Sequence, residues 1–351
     1  MKSEVKPRIN AHSHLLPYPH QIPKKLKDEE IFWVDDDRQF MYQKNWRRPV
    51  TSPSFFLDKK LEWMEAFNID QEVIITLSQL YCNGYSLENT ELATRFQNDF
   101  NADIQAQYPE KFIGGFVIQP AHLELALSEI TRCVEDANLK LLCLPTHYLN
   151  KDGQWISTAD RALNPIYERA NDYGIAIEFH PYDAPKFITL PDQFWRFHLV
   201  WMCAQTADHY HFFTSLDFIE RYPNLRVCYA HGNQFGQINV GRRERGFLGR
   251  PDLFKDASNP FKYIKHPNIF FDSIVHDVLS FELLVKRSGA AQVVAGLDNP
   301  YPLGEVDFGD FYPGQVIDEA VDEKIINKLE RENIWHDNVL RWLYGNKSVN
   351  Q

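Results

Sequence analysis

Glycine is scarce, with 16 residues in a chain of 351, and the 20 prolines are not gathered into one stretch. No flexible linker is therefore expected, although the length alone would allow two domains. The five cysteines (Cys82, Cys133, Cys143, Cys203, Cys228) are odd in number and widely spread. None has the C-x-x-C spacing of a zinc or redox site, so buried free thiols in a reducing compartment are expected. No run approaches the roughly 18 apolar residues of a spanning helix. MKSEVKPRIN lacks an apolar signal core and GNKSVNQ carries no anchor signal. A cytoplasmic chain without membrane contact is expected. Basic charge is also short, with 37 Lys and Arg against 48 Asp and Glu, a formal charge of −11. Such a chain repels phosphate backbones, so nucleic acid is not an expected partner.

What the chain does have is alternation. Short apolar runs, Arg8–Ala11, Val73–Leu77, Phe112–Val117, Leu139–Leu144, Ala176–Phe179, Leu225–Ala230, Ile269–Asp272 and Gln292–Gly296, read as buried parallel strands. Between them, Leu87–Tyr108, Leu123–Asp136, Asp160–Tyr173 and Val278–Ser288 carry apolar residues at helical spacing. Eight strands alternating with helices predict an α/β fold, a (β/α)8 barrel. An open doubly wound sheet is the alternative, but no G-x-G-x-x-G turn follows the first strand. Two segments are too long for plain connections. Leu15–Pro53, after strand one, is rich in Pro, Asp, Lys and aromatics, and Gly246–Pro267 comes after the helix that follows strand six. Both are expected as insertions, 15–53 and 246–267, bordering the active-site face of one domain spanning 1–351. No internal repeat is visible.

The thirteen histidines carry the chemistry. His12 and His14 form an H-x-H pair in NAHSHLLP, and residues i and i+2 of an extended strand point the same way. His180 ends strand five (AIEFHPYD), His231 ends strand six (VCYAHGNQ), and Asp298 follows strand eight (VVAGLDNPYPLGE). All five fall at the strand ends where barrel enzymes keep their catalytic groups. Imidazoles with one carboxylate suit zinc with an open coordination position. Such a metal lowers the pKa of a bound water to about 7, and a neighbouring histidine can move protons near neutrality. His147, just after strand four, is a candidate for substrate contact. Asp183, three residues after His180, could orient a ligand imidazole, although a turn role is the plainer expectation. His20, His122, His209, His211, His266 and His336 are expected to be solvated or capping, and His276, after strand seven, could reach the mouth, although a structural role is the plainer expectation.

These motifs, with YPEKFIGGFVIQP, LELALSEITRCVED, VGRRERGFLGRPDL and FFDSIVHDVLSFELL, resemble the amidohydrolase superfamily in its metal-dependent nonoxidative decarboxylase branch. The similarity runs from strand one to about residue 305. It implies a distorted TIM barrel with one Zn2+ per chain, other divalent metals being possible. By matching motif, His12, His14, His180 and Asp298 would be the ligands and His231 the acid/base acting on a water at the metal. No lysine ends strand four, where binuclear members place a carbamylated one, and Lys140 lies near the strand's start. Enzymes of the branch are carboxy-lyases that remove a carboxylate from an unsaturated or aromatic acid.

Relatives in the branch hold substrate carboxylates with two arginines, one from the segment after strand one and one from a neighbouring subunit. The second matches Arg250 in GFLGRPDL, which implies a homodimer. At the first position this chain carries Met41, and Arg47 and Arg48 follow shortly after. Arg47 is taken as a substrate-binding candidate, with Arg48 as its alternate, and a missing guanidinium casts doubt on the particular substrate. Trp195 resembles an aromatic residue of the substrate pocket. The runner-up activity is metal-dependent hydrolysis of a lactone, which needs the same metal and base. A non-catalytic barrel is disfavoured, because all five metal-site groups are retained.

Overall fold

The computed structural model describes residues 6–44, 46–81, 83–181, 193–306 and 311–346. Eight parallel strands follow one another around a barrel: β1 (Ile9–Ser13), β2 (Gln71–Ile74), β3 (Phe112–Val117), β4 (Leu141–Pro145), β5 (Ala176–His180), β6 (Arg226–Tyr229), β7 (Ile269–Asp272) and β8 (Val293–Val294). Helices lie between most strands, and the expected α/β barrel is the observed architecture. β3 and β7 span the residues expected from their apolar runs, and the others differ by a few residues. The strands are buried on both faces, which explains why they read as continuous apolar runs.

β8 is short because the chain turns after it to close the barrel against β1. Ala11 N donates to Ala295 O at 2.6 Å, Asp298 N to His12 O at 2.8 Å, and His14 N to Asn299 O at 2.9 Å. This seam, more hydrogen-bonded loop than strand ladder, carries three of the five candidate residues. The opposite end of the barrel is plugged by a C-terminal helix, Asp337–Tyr344. Its Val339, Trp342 and Leu343 pack with Ile9, Val73 and Leu141, and Trp342 donates to Ile177 O at 3.3 Å. The open mouth is therefore at the C-terminal strand ends.

The described residues of the segment 15–53 form a cap. Trp33–Val34, Phe40–Gln43 and Trp46–Pro49 form a three-stranded antiparallel sheet. It has its own core, in which Leu16, Leu26, Phe32 and Met41 pack with Phe55 and Tyr301. Met41 is opposite Arg48 and Tyr42 opposite Arg47. Successive residues of a strand face opposite ways, so the two arginines must part company. No helix among the described residues is long and apolar enough to cross a membrane. Cys133, Cys143 and Cys228 are buried free thiols, Cys203 is a half-buried one, and Cys82 lies outside the described residues.

Candidate active site at the barrel mouth

His12 and His14 converge as the H-x-H spacing requires. Their Nε2 atoms are 3.2 Å apart, and Asp298 Oδ1 lies 3.1 Å from His14 Nε2 and 3.6 Å from His12 Nε2. His180 joins them with its ring centroid 5.2 Å from that of His12. Its Nδ1 is 2.6 Å from Pro181 O, so that nitrogen donates and the Nε2 lone pair is left for the site. His231 lies alongside, with Nε2 3.7 Å from Asp298 Oδ2. Ligand atoms of His12, His14 and His180 all lie within 4.8 Å of one another, as do those of His12, His231 and Asp298.

The backbone is bent to make this arrangement. His231, Gly232 and Asn233 take φ values of 55°, 58° and 47°, and Asp298 takes 49°. Left-handed backbone is costly for residues with a Cβ and clusters at functional sites. At Gly232 a Cβ would meet Val275 Cγ1 at 2.5 Å, so only glycine fits behind the His231 turn.

Two carboxylates stand behind His12 that sequence reasoning missed. Its Nδ1 is 2.9 Å from Asp272 Oδ2 and 3.2 Å from Glu178 Oε1, all deeply buried. This fixes the Nδ1–H tautomer and turns Nε2 toward the site. Glu178 was findable, because it sits two residues before His180 inside the apolar AIEFH, on the same face. Asp272 ends the apolar run IFFD in the same way.

The electrostatics favour a cation here. Burial opposes protonation of His12, but Glu178, Asp272 and Asp298 outweigh it and push it up to about 9. Burial takes His14 down to about 4 and holds His180 well below the usual histidine range. Burial pushes Asp298 up, yet contacts from His14 and His231 and the nearby His12 hold it well below the usual carboxylate range. Burial raises Glu178 to about 8. Neutral His14 and His180 with an ionised Asp298 suit a metal, and the acids that raise His12 favour a positive charge at this spot, which a divalent cation at its Nε2 would supply in place of the proton. Asp298 Oδ1 makes no well-formed hydrogen bond and points into the cluster, so the residues fit a divalent cation.

A cavity opens above this floor of His14, His180, His231 and Asp298. Leu199, Met202, Ile274 and Leu303 give it apolar walls, and Gln79, Gln234, Tyr301 and His276 add polar groups. Its guanidinium comes from Arg48, which reaches in over Tyr301, not from Arg47. Arg47 is exposed and rests over Phe40, with its Cζ 4.6 Å from the ring centroid.

Other candidates stand apart from the cavity lining among the described residues. His147 is buried, with Nε2 3.0 Å from Asp208. Trp195 packs near His198 at 5.0 Å between centroids. Arg250 is exposed and paired with Asp252, and no residue of 246–267 lines the cavity of its own chain. Asp183 lies outside the described residues. His276, expected to be structural, lines the cavity with φ 65°. His209, expected to be solvated or capping, is fully buried against Phe179 at 4.1 Å.

The profile of the family described as Amidohydrolase matches residues 9–338. A 2-amino-3-carboxymuconate-6-semialdehyde decarboxylase of Dictyostelium discoideum is 28% identical, over 96% of this chain and 91% of that one. One of the same name from Caenorhabditis elegans is 30% identical, over 96% of this chain and 94% of that one. A 5-carboxyvanillate decarboxylase variant from Novosphingobium aromaticivorans, solved with bound manganese and 3-methoxy-4-hydroxy-5-nitrobenzoic acid, shares the fold at a TM-score of 0.73. It is 16% identical, and the match covers 96% of each chain.

Proposed function

Since the chain belongs to the amidohydrolase family, we propose that it is a nonoxidative decarboxylase of an unsaturated or aromatic carboxylic acid that works with one zinc ion per chain. It is a carboxy-lyase, in line with its decarboxylase relatives. The observation that carries the reading is the cavity itself. An imidazole–carboxylate cluster forms its floor, and among the described residues Arg48 is the arginine that overlooks that floor.

His12, His14, His180 and Asp298 are the residues that would hold the metal. A divalent cation there supplies Lewis-acid stabilisation of negative charge developing on the substrate. The chain's own groups do the rest. Arg48 binds an anionic group of the substrate, and the apolar wall keeps water from the scissile carboxylate. When the C–C bond breaks, its electron pair stays on the ring or chain carbon while CO2 departs. His231 delivers a proton to that carbon, a role suited to an imidazole near neutral pH.

The chain is read as one domain, a cytoplasmic homodimer in which 15–53 borders its own site and 246–267 borders the partner's. Support comes from the exposed Leu248 and Leu253 flanking Arg250, which suit a covered surface. His147 and Trp195 stay as candidate residues for substrate contact. Purified protein should contain about one equivalent of metal, lost in His12→Ala and Asp298→Ala. A panel of unsaturated and aromatic acids beside small lactones tests the reaction. CO2 from an acid supports the proposal, and ring opening without CO2 overturns it.

A further inference from the structure

Beneath the site lies a buried ion pair that no catalytic step uses. Lys60, on the helix Leu57–Ala66, and Glu72, on β2, are fully buried, with Lys60 Nζ 3.4 Å from Glu72 Oε2. Replacing such a pair with apolar side chains is often neutral or stabilising, so stability is a weak reason for its presence.

Its contacts point elsewhere. Lys60 Nζ donates to the carbonyl of Asn299 at 3.3 Å, the same oxygen that accepts from His14 N at 2.9 Å. Glu72 Oε1 accepts from Asn10 Nδ2 at 3.1 Å and from Asn299 Nδ2 at 3.0 Å. Asn10 Nδ2 also reaches Asn299 Oδ1 at 2.7 Å. Asn10 Oδ1 accepts from the amides of His12 at 3.1 Å and Leu297 at 3.0 Å. Asn10 and Asn299 are fully buried as well. These bonds fall on Asn10, Leu297 and Asn299, within two residues of His12 or Asp298, across the seam where loop hydrogen bonds stand in for a ladder between β8 and β1.

We propose that Lys60 and Glu72 form a clasp that fixes the spacing between the His12–His14 strand and the Asp298 turn, and thereby sets how tightly the site holds its metal. They are positioning residues, one layer removed from the ligands. The inference rests on the metal reading given above.

The test is zinc affinity of the metal-free protein, measured by competition with a chromophoric chelator and read beside its thermal midpoint. Lys60→Met and Glu72→Gln should each weaken zinc by about 10- to 100-fold, as loss of groups that orient ligands does. The Lys60→Met/Glu72→Gln double variant leaves no unpaired buried charge, so it should fold even if a single variant does not. It should still bind zinc weakly, because the bond to the Asn299 carbonyl is gone. Met64→Ala, a core truncation on the same helix, should lower the midpoint and leave affinity within about twofold. A folded double variant with wild-type affinity, or equal weakening by Met64→Ala, overturns the clasp. Wild-type protein that takes up no zinc or other divalent metal overturns the metal reading and the clasp with it.

Discussion

The guanidinium of Arg48 lies 4.5 Å above the ring of Tyr301, whose hydroxyl donates to Gln79 Oε1 at 3.1 Å. This stack aims the arginine of the cap sheet at the cavity. Arg48→Ala should lower kcat/KM by about 100-fold or more, the scale of leaving a half-buried charge without its partner. Arg47→Ala should stay within about threefold, as an exposed charge does. Met41→Arg should destabilise the protein without raising activity, because Met41 is fully buried in the cap core. Steady-state kinetics and melting of the three variants check this, and a larger loss in Arg47→Ala would reverse the assignment.

His231 should be needed for turnover but not for metal. His231→Ala should keep its metal content and melting behaviour and lose activity by about 100-fold or more. Elemental analysis beside the rate measurement decides it, and a variant that loses its metal would make His231 a ligand.

Acid should weaken the fold through His209. Burial holds this imidazole well below the ordinary histidine range, while the unfolded chain takes up a proton near pH 6.5. Stability from this residue is therefore full above that pH and falls as the pH drops below it, by at most about 1.4 kcal/mol per pH unit. Between about pH 7.5 and about pH 5.5 the thermal midpoint of His209→Phe should fall less than that of wild type. Parallel falls would place the acid sensitivity elsewhere.

Arg250 should act in the partner's site. Mixing Arg250→Ala chains with His231→Ala chains should restore part of the activity, since some mixed dimers hold one intact site. No recovery after proven subunit exchange would confine each site to one chain.

Much of this was legible in the sequence for physical reasons. Strands buried on both faces have no polar face, so Phe112–Val117 and Ile269–Asp272 could be read to the residue. Strand-end histidines stood out because each followed an apolar run. The cap sheet was not legible, since Trp33–Pro49 mixes aromatics with charges and its pairing depends on tertiary contact with Phe55 and Tyr301. The choice between Arg47 and Arg48 needed a strand register that no spacing reveals. His209 was misjudged because its helix, Met202–Ser215, buries Gln205, Thr206 and His209 on the face turned to the barrel. Glu178 and Asp272 went unremarked although the period-two rule that paired His12 with His14 also pairs Glu178 with His180.

Decarboxylation leaves a mark that lactone hydrolysis cannot. Zinc-loaded protein should be turned over in D2O with 2-amino-3-carboxymuconate 6-semialdehyde and with 5-carboxyvanillate, and CO2 and product deuteration measured together. The expected result, for at least one acid, is one CO2 per substrate consumed and one solvent deuteron on the carbon that carried the carboxylate. Consumption of substrate without CO2, or a product that retains every carboxylate, would contradict a decarboxylase.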